Sequence, residues 1–151
     1  MKLLFSFTLA VSVALGAPAA IAASAEQEQA FLDAYRTAFE AQDAGALHKL
    51  LFVEGAIPEA VGLYDMMMTA EFGSKISKIE LLDFDAEDLG RIDETMPMPD
   101  GSMARLAPKP FKKLVITIDS TDANGTGTST STTYVAEQDG RIGIAMPVPA
   151  N

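Results

Sequence analysis

The hydrophobic pattern of this chain changes its period once, from the repeat of a helix to the alternation of a strand. Between residues 26 and 72 apolar side chains recur every three to four positions, which is typical of helices that bury one face. From residue 76 onward they alternate, most clearly at Leu114, Ile116 and Ile118, which predicts strands. Helices followed by strands predict an α+β fold, with N-terminal helices packed on a curved antiparallel sheet.

The first half of the chain is predicted to form three helices. One covers residues 26–42, and Asp43 is suited to cap a short second helix over residues 46–52. Pro58 favours the first turn of a third helix, which Gly73 ends. The large side chains on the apolar stripes of the first and third helices are the candidates for lining a ligand pocket: Phe31, Tyr35, Phe39, Tyr64, Met68 and Phe72.

The second half is predicted to form an antiparallel meander. Strands are expected over residues 76–84, 113–118, 126–137 and 141–146. The first of these has apolar residues on both faces, so a helical turn is the alternative interpretation of residues 76–84. Asn124-Gly125 and Asp139-Gly140 are typical of two-residue hairpin turns. Residues 86–110 are polar and interrupted by proline, and they are predicted to form a long loop.

Residues 1–22 have the pattern of a cleaved signal peptide. Lys2 precedes an apolar stretch over residues 3–15, and Ala20-Ile21-Ala22 supplies the small residues of a cleavage site. The stretch has 13 residues, whereas a helix that spans a bilayer needs about 20. The sequence therefore predicts a bacterial protein that is periplasmic or secreted. It is expected to have no membrane anchor after cleavage, with residues 23–151 forming one domain.

The charge and the absence of cysteine exclude several classes of function. The chain carries 21 acidic and 11 basic residues, a net charge of −10, and such a charge repels nucleic acid and anionic lipid. Without cysteine the chain has no disulfide, thiol nucleophile or thiolate metal site. A phosphate-binding glycine loop, a nucleophile triad and zinc-ligand spacing are also missing from the sequence. No cofactor is predicted.

The segment FLDAYRTAFEAQDAGAL, residues 31–47, resembles the opening of the nuclear transport factor 2-like superfamily. Members of that superfamily begin with a helix, an acidic turn and a short second helix, and their bent antiparallel sheet closes a cone. They include ketosteroid isomerases and polyketide cyclases as well as binding domains without chemistry, so the resemblance implies a cone-like fold and leaves the function open. It also implies a homodimer formed through the open sheet face. The family's catalytic aspartate and tyrosine do not align with particular residues of this chain.

The sequence favours a non-catalytic domain that binds a small apolar ligand or a partner protein, because its apolar stripes carry no convergent catalytic set. The alternative is an isomerase- or cyclase-type enzyme in which Asp65 or His48 acts as the base. For His48 this role needs a carboxylate within hydrogen-bond reach, which Asp43 or Asp65 would supply. Tyr35 or Tyr64 would then donate a hydrogen bond to a carbonyl or enolate. This alternative requires a base and a tyrosine to meet in one pocket.

Two further segments are weaker indications of metal sites. The thioethers of Met96, Met98 and Met103 suit Cu(I) in an oxidising compartment, although flexible packing explains them as well. Residues 83–88 hold four carboxylates and begin like a calcium loop. They lack the central glycine and the terminal glutamate of such a loop. We therefore interpret them as a solvated acidic turn.

Overall fold

The computed structural model of the chain describes residues 23–150. The predicted signal peptide, residues 1–22, lies outside the described residues. Within residues 23–150, no helix combines the length and the apolar character needed to cross a bilayer. The described helices are α1 (Ala25–Glu40), α2 (Ala44–His48), α3 (Pro58–Thr69) and α4 (Ala86–Asp93). The described strands are β1 (Lys75–Leu82), β2 (Met96–Pro97), β3 (Met103–Ala107), β4 (Pro110–Asp122), β5 (Gly125–Gln138), β6 (Arg141–Ile144) and β7 (Met146–Pro149).

The strands form two antiparallel sheets. The larger sheet has the order β1-β4-β5-β6, and the smaller one has the order β2-β3-β7. The alternation that predicted β4 places Leu114, Ile116 and Ile118 on the buried face. The predicted α+β class, with N-terminal helices and antiparallel sheets, is confirmed.

The helical layer and the larger sheet bury one hydrophobic core. Its largest fully buried side chains come from α1, α2, the segment that follows α2, and strands of both sheets: Phe39, Leu47, Leu51, Ile76, Leu114, Val135, Ile144 and Met146. Ser24 caps α1 with a capping box that Gln27 completes, and this fixes where the helix begins. The core therefore lies between the helices and the sheet, as the amphipathic pattern predicts.

The second helix is shorter than predicted, because the residues after it pair with a strand. The Ile144 N–H donates to the Leu50 carbonyl at 2.7 Å, and the Phe52 N–H donates to the Ile144 carbonyl at 3.0 Å. These bonds draw residues 50–52 alongside β6 in a parallel bridge. The backbone groups that would extend α2 to residue 52 are thereby used by the sheet.

The prediction of a long loop over residues 86–110 is wrong. The segment forms α4, β2 and β3. The Asp85 side chain caps α4 by accepting the N–H groups of Glu87 and Asp88. β3 pairs with β7, from Ala104 opposite Pro149 to Ala107 opposite Met146. The partner of β3 lies about forty residues further along the chain, so the local pattern of this polar segment does not reveal the pairing.

The interpretation of residues 83–88 as a solvated acidic turn is also wrong for Asp88, whose residue surface is 6% exposed. Its carboxylate accepts hydrogen bonds from Lys113 Nζ at 2.5 Å and from the Tyr134 hydroxyl at 3.0 Å. The Asp85 N–H donates to the same carboxylate at 3.0 Å. Phe84 packs edge-on against the Tyr134 ring with centroids 5.9 Å apart. Asp88 thus ties α4 to the neighbouring strands β4 and β5.

This cluster predicts a loss of stability in acid. The hydrogen bond from Lys113 lowers the pKa of Asp85 to about 2, and the same lysine lowers the pKa of Asp88. Because both values are depressed in the folded state, their contribution is present above about pH 4 and is lost as the pH falls toward 2. We expect the stability advantage of the wild type over Lys113→Gln to shrink across that window in urea unfolding. A constant difference from pH 7 to pH 2 would contradict the pairing.

Candidate functional site

The structure brings together two of the predicted catalytic candidates, His48 and Asp65. Nδ1 of His48 lies 2.9 Å from both carboxylate oxygens of Asp65, while Asp43, the other candidate partner, caps α2 through the Ala46 N–H. The side chains of His48 and Asp65 are 45% and 39% exposed. The pair therefore links α2 to α3 at the surface, where an ion pair adds little stability.

The two candidate tyrosines do not join that pair. Tyr35 lies in the core, where burial raises its pKa to about 12 and the Glu71 carboxylate adds to the shift. Tyr64 is half-buried against the same core, and neighbouring positions on a helix do not face each other, so it points away from Asp65. No hydrogen bond within residues 23–150 connects either tyrosine to His48 or Asp65.

The six candidate pocket residues pack within the core or against it. Phe31, Tyr35, Phe39 and Met68 are buried, and Tyr64 and Phe72 lie against them half-buried. The rings of Phe39 and Phe72 meet edge to face with centroids 5.6 Å apart. None of the six lines the groove described below. These side chains therefore contribute to packing.

The three candidate copper ligands lie in the β2–β3 hairpin. Met96 pairs with Ala104, and Met103 pairs with Pro97. Since side chains alternate along a strand, Met103 shares a face with Pro97 and lies opposite the face of Met96. Met98 lies in the connecting turn, where its N–H donates to the Ser102 carbonyl at 2.8 Å. The hairpin thus separates Met96 from Met103.

A groove of about 960 Å³ is lined by residues of both sheets and of the chain that follows α2. Residues 51–55, which follow α2, line it together with residues of β3 and β7. The turn between β5 and β6 forms one end. Its lining comprises Leu51, Phe52, Val53, Glu54, Gly55, Arg105, Ala107, Pro108, Gln138, Asp139, Arg141, Val148 and Pro149.

Arg141 is held rigidly in this groove. One of its terminal nitrogens donates to the Lys49 carbonyl at 2.6 Å and to the Leu51 carbonyl at 2.9 Å. Its guanidinium carbon lies 4.5 Å from the centroid of the Phe52 ring, a cation–π contact. A guanidinium has five N–H donors, and these two bonds leave three for another acceptor. The fixed orientation suits Arg141 to bind a planar anion such as a carboxylate.

Arg105 lines the groove from β3 and is exposed. Within residues 23–150, no carboxylate oxygen lies within 4.0 Å of a nitrogen of Arg105 or Arg141. Glu54 and Asp139 also line the groove, but neither forms an ion pair with a cation of the described residues. In a chain with 21 acidic and 11 basic residues, two arginines without carboxylate partners in one groove are available to an anionic ligand.

Gly143 makes the Phe52–Arg141 contact possible. A Cβ at this position would lie 2.8 Å from the Leu50 carbonyl oxygen and 2.9 Å from the Phe52 ring. Both distances are shorter than van der Waals contact, and the carbonyl belongs to the backbone that pairs with β6. The absence of a side chain at position 143 therefore lets the Phe52 ring approach the backbone of β6 while it contacts the guanidinium of Arg141.

We expect Gly143→Ala to lower the free energy of unfolding by about 1 to 3 kcal/mol, because the new methyl group overpacks the site. Urea unfolding measures this. Gly90→Ala is the matched control, since a Cβ at Gly90 meets no atom within 4 Å and alanine favours the helix. A Gly143→Ala variant as stable as the wild type would show that Phe52 does not depend on this glycine.

Comparisons with known proteins add little to this geometry. No family model matches the chain, and no curated protein matches it significantly. A solved structure of a protein of unknown function from Mycobacterium tuberculosis, Rv3472, is similar at 15% sequence identity and a TM-score of 0.39. The match covers 83% of this chain and 70% of that one.

Proposed function

We propose that this chain is an exported, non-catalytic binding domain of the nuclear transport factor 2-like type, which holds a small organic anion in the groove. The observation that carries the proposal is that Arg105 and Arg141 line one groove without a carboxylate partner in the described chain. The order of elements, helices followed by antiparallel strands, supports the assignment of type.

The groove offers a complementary surface to the body of such a ligand. Phe52, Val53, Val148 and Pro149 are apolar and line it, and small-molecule sites combine an apolar lining with a few placed polar groups. A carboxylate would accept hydrogen bonds from the guanidinium groups, and its apolar body would lie against these side chains. Arginines beside apolar side chains favour an amphipathic anion, whereas the sequence alone predicted a small apolar ligand.

The enzymatic alternative rests on the His48–Asp65 pair. Such a pair can orient an imidazole as a base, but neither residue lines the described groove, and the tyrosines do not reach the pair. An enzyme built on this pair would need a substrate that binds at the surface between α2 and α3. The groove is the better candidate because it provides both an enclosing surface and unpaired donors.

Calorimetric titration tests the proposal with naphthalene-2-carboxylate and octanoate as probes. Naphthalene-2-carboxamide is the control, because it keeps the ring system and removes the charge. We expect the carboxylate to bind at least about tenfold more tightly than the amide, since a hydrogen bond to a charged group contributes about 1.5 to 3 kcal/mol. Equal affinities, or no binding of either acid, would contradict recognition of an anion.

A further inference from the structure

The outer edge of β5 is unpaired over most of its length. β5 runs from Gly125 to Gln138, but β6 pairs with it only from Val135 to Gln138. The Tyr134 carbonyl then accepts the Ala145 N–H at 2.9 Å. Among residues 23–150, no strand pairs with residues 125–133 on the side away from β4. About nine residues of strand therefore present a free edge.

Four threonines direct their backbone groups outward along this edge. In an antiparallel sheet, residues two apart direct their N–H and C=O groups to the same side. Since the Tyr134 carbonyl points outward to Ala145, the even-numbered residues before it do so as well. The odd-numbered residues bond to β4, with Ser129 opposite Ile118. The outward set is Thr126, Thr128, Thr130 and Thr132.

The edge lacks the features that usually prevent strand pairing. Natural edge strands carry lysine, inward charges, proline or bulges. Residues 123–136 contain no charged residue and no proline, and the β4–β5 register is regular from Lys112 to Asp122. In a chain with a net charge of −10, this stretch adds no charge of its own to the repulsion between two copies.

We propose that a second copy of this chain pairs with β5 along this edge, antiparallel and with a two-fold axis at Ser129. In this register Thr128 lies opposite the partner's Thr130, and Thr126 lies opposite the partner's Thr132. Each outward N–H and C=O of the four threonines then has a partner, and Ser129 faces its own copy in the non-hydrogen-bonded position. If the register between the two copies of β5 were shifted by two residues, outward N–H and C=O groups at both ends of the edge would have no partner. The axis at Ser129 therefore pairs the largest number of these backbone groups.

Two carboxylates close to the axis limit the strength of this pairing. Glu71 accepts a hydrogen bond from the Ser129 hydroxyl at 2.7 Å, and Asp119 accepts one from the Thr128 hydroxyl at 3.1 Å. Pairing brings each near its copy, and salt screens such repulsion between exposed charges. We therefore expect a reversible dimer that tightens as ionic strength rises. This interface differs from the open sheet face that the superfamily resemblance implies.

Disulfide trapping tests the register, because the chain has no cysteine of its own. With the axis at Ser129, the two copies of Ser129→Cys face each other with Cα atoms about 4.5 Å apart, within the range for a disulfide. Ser131→Cys is the matched control, since its two copies would lie about 13 Å apart along the strands. We expect a covalent dimer from Ser129→Cys in oxidised glutathione, and monomer from Ser131→Cys. Equal cross-linking of the two variants, or cross-linking of neither, would overturn the register.

A proline variant tests the pairing itself by sedimentation. Thr130→Pro removes one outward N–H and no bond to β4, so the hairpin is kept and circular dichroism should be unchanged. We expect the wild type to dimerise and Thr130→Pro to raise the dissociation constant at least about tenfold. A wild type that stays monomeric up to about 1 mM, or a dimer that this proline leaves unchanged, would refute the edge interface.

Discussion

Replacing Asp88 with alanine is expected to lower the free energy of unfolding by about 2 to 3 kcal/mol. The substitution removes the acceptor of Tyr134 and one of the two carboxylates that accept from Lys113, whose side chain is 16% exposed, and leaves Asp85 as the other at 2.8 Å. The loss comes from three hydrogen bonds to one charged, nearly buried carboxylate, those from Lys113, the Tyr134 hydroxyl and the Asp85 N–H, because bonds to charged groups contribute more than neutral ones. The remaining bond to Asp85 and the residual exposure of Lys113 keep the loss below that of a fully buried pair that loses one partner. Urea unfolding at pH 7 measures it.

The matched control for this variant is Asp83→Ala. The side chain of Asp83 is 94% exposed, and its nearest cation, Lys112, is 4.0 Å away. A change of less than about 0.5 kcal/mol is expected there. If Asp88→Ala were as mild as Asp83→Ala, Asp88 would behave as part of the solvated acidic turn that the sequence predicts.

The second large effect is expected in the groove. Arg141→Ala should weaken the binding of naphthalene-2-carboxylate about tenfold to a hundredfold, because it removes a charge-assisted donor with a fixed orientation. Arg105→Ala should have a smaller effect of the same sign, since both arginines are exposed but only Arg141 has hydrogen bonds within residues 23–150 that orient its guanidinium. Arg141→Lys should not restore the affinity, because an ammonium group lacks the planar fork. Calorimetry of each variant gives the affinities.

Lys75→Ala is the control that distinguishes a direct contact between Arg141 and the anion from an effect of the protein's net charge on the affinity. Lys75 is exposed at the start of β1 and does not line the groove, yet its loss changes the net charge as much as the loss of Arg141 does. We expect the affinity of Lys75→Ala to remain within about twofold of the wild type, because exposed distant charges are screened. An equal loss of affinity in Lys75→Ala and Arg141→Ala would attribute the binding to net charge.

Most of the fold could be predicted from the periodicity of the sequence. The stripe of Phe31, Tyr35 and Phe39 predicted α1, and the alternation at Leu114 and Ile116 predicted β4. Each of these elements buries one face, so the spacing of apolar residues along the sequence is enough to predict it. The segment 86–110 could not be assigned in this way. Its strand β3 is held by pairing with β7, and pairing between distant strands leaves no local period.

The groove could not be predicted from the sequence because four separate segments build it. Arg105 lies within the predicted loop, and Arg141 directly follows the Asp139-Gly140 turn. Neither arginine has a motif around it. The sequence does not tell which carboxylates lie close to each cation. Only the structure shows that, within the described residues, these two arginines have no carboxylate partner. The sequence did identify Asp43 and Asp65 as partners for His48, and the structure selects Asp65.

The position of the bound anion tests the proposed function most directly. In two-dimensional ¹⁵N–¹H NMR spectra of the wild type titrated with naphthalene-2-carboxylate, the largest shift changes should fall on the groove backbone. The amides concerned are those of residues 51–55, 105–107 and 138–141. Changes concentrated around His48 and Asp65 would instead favour the enzymatic alternative. Changes along Phe31, Tyr35 and Phe39 would mean that the ligand enters the core, and either result would contradict binding in the groove.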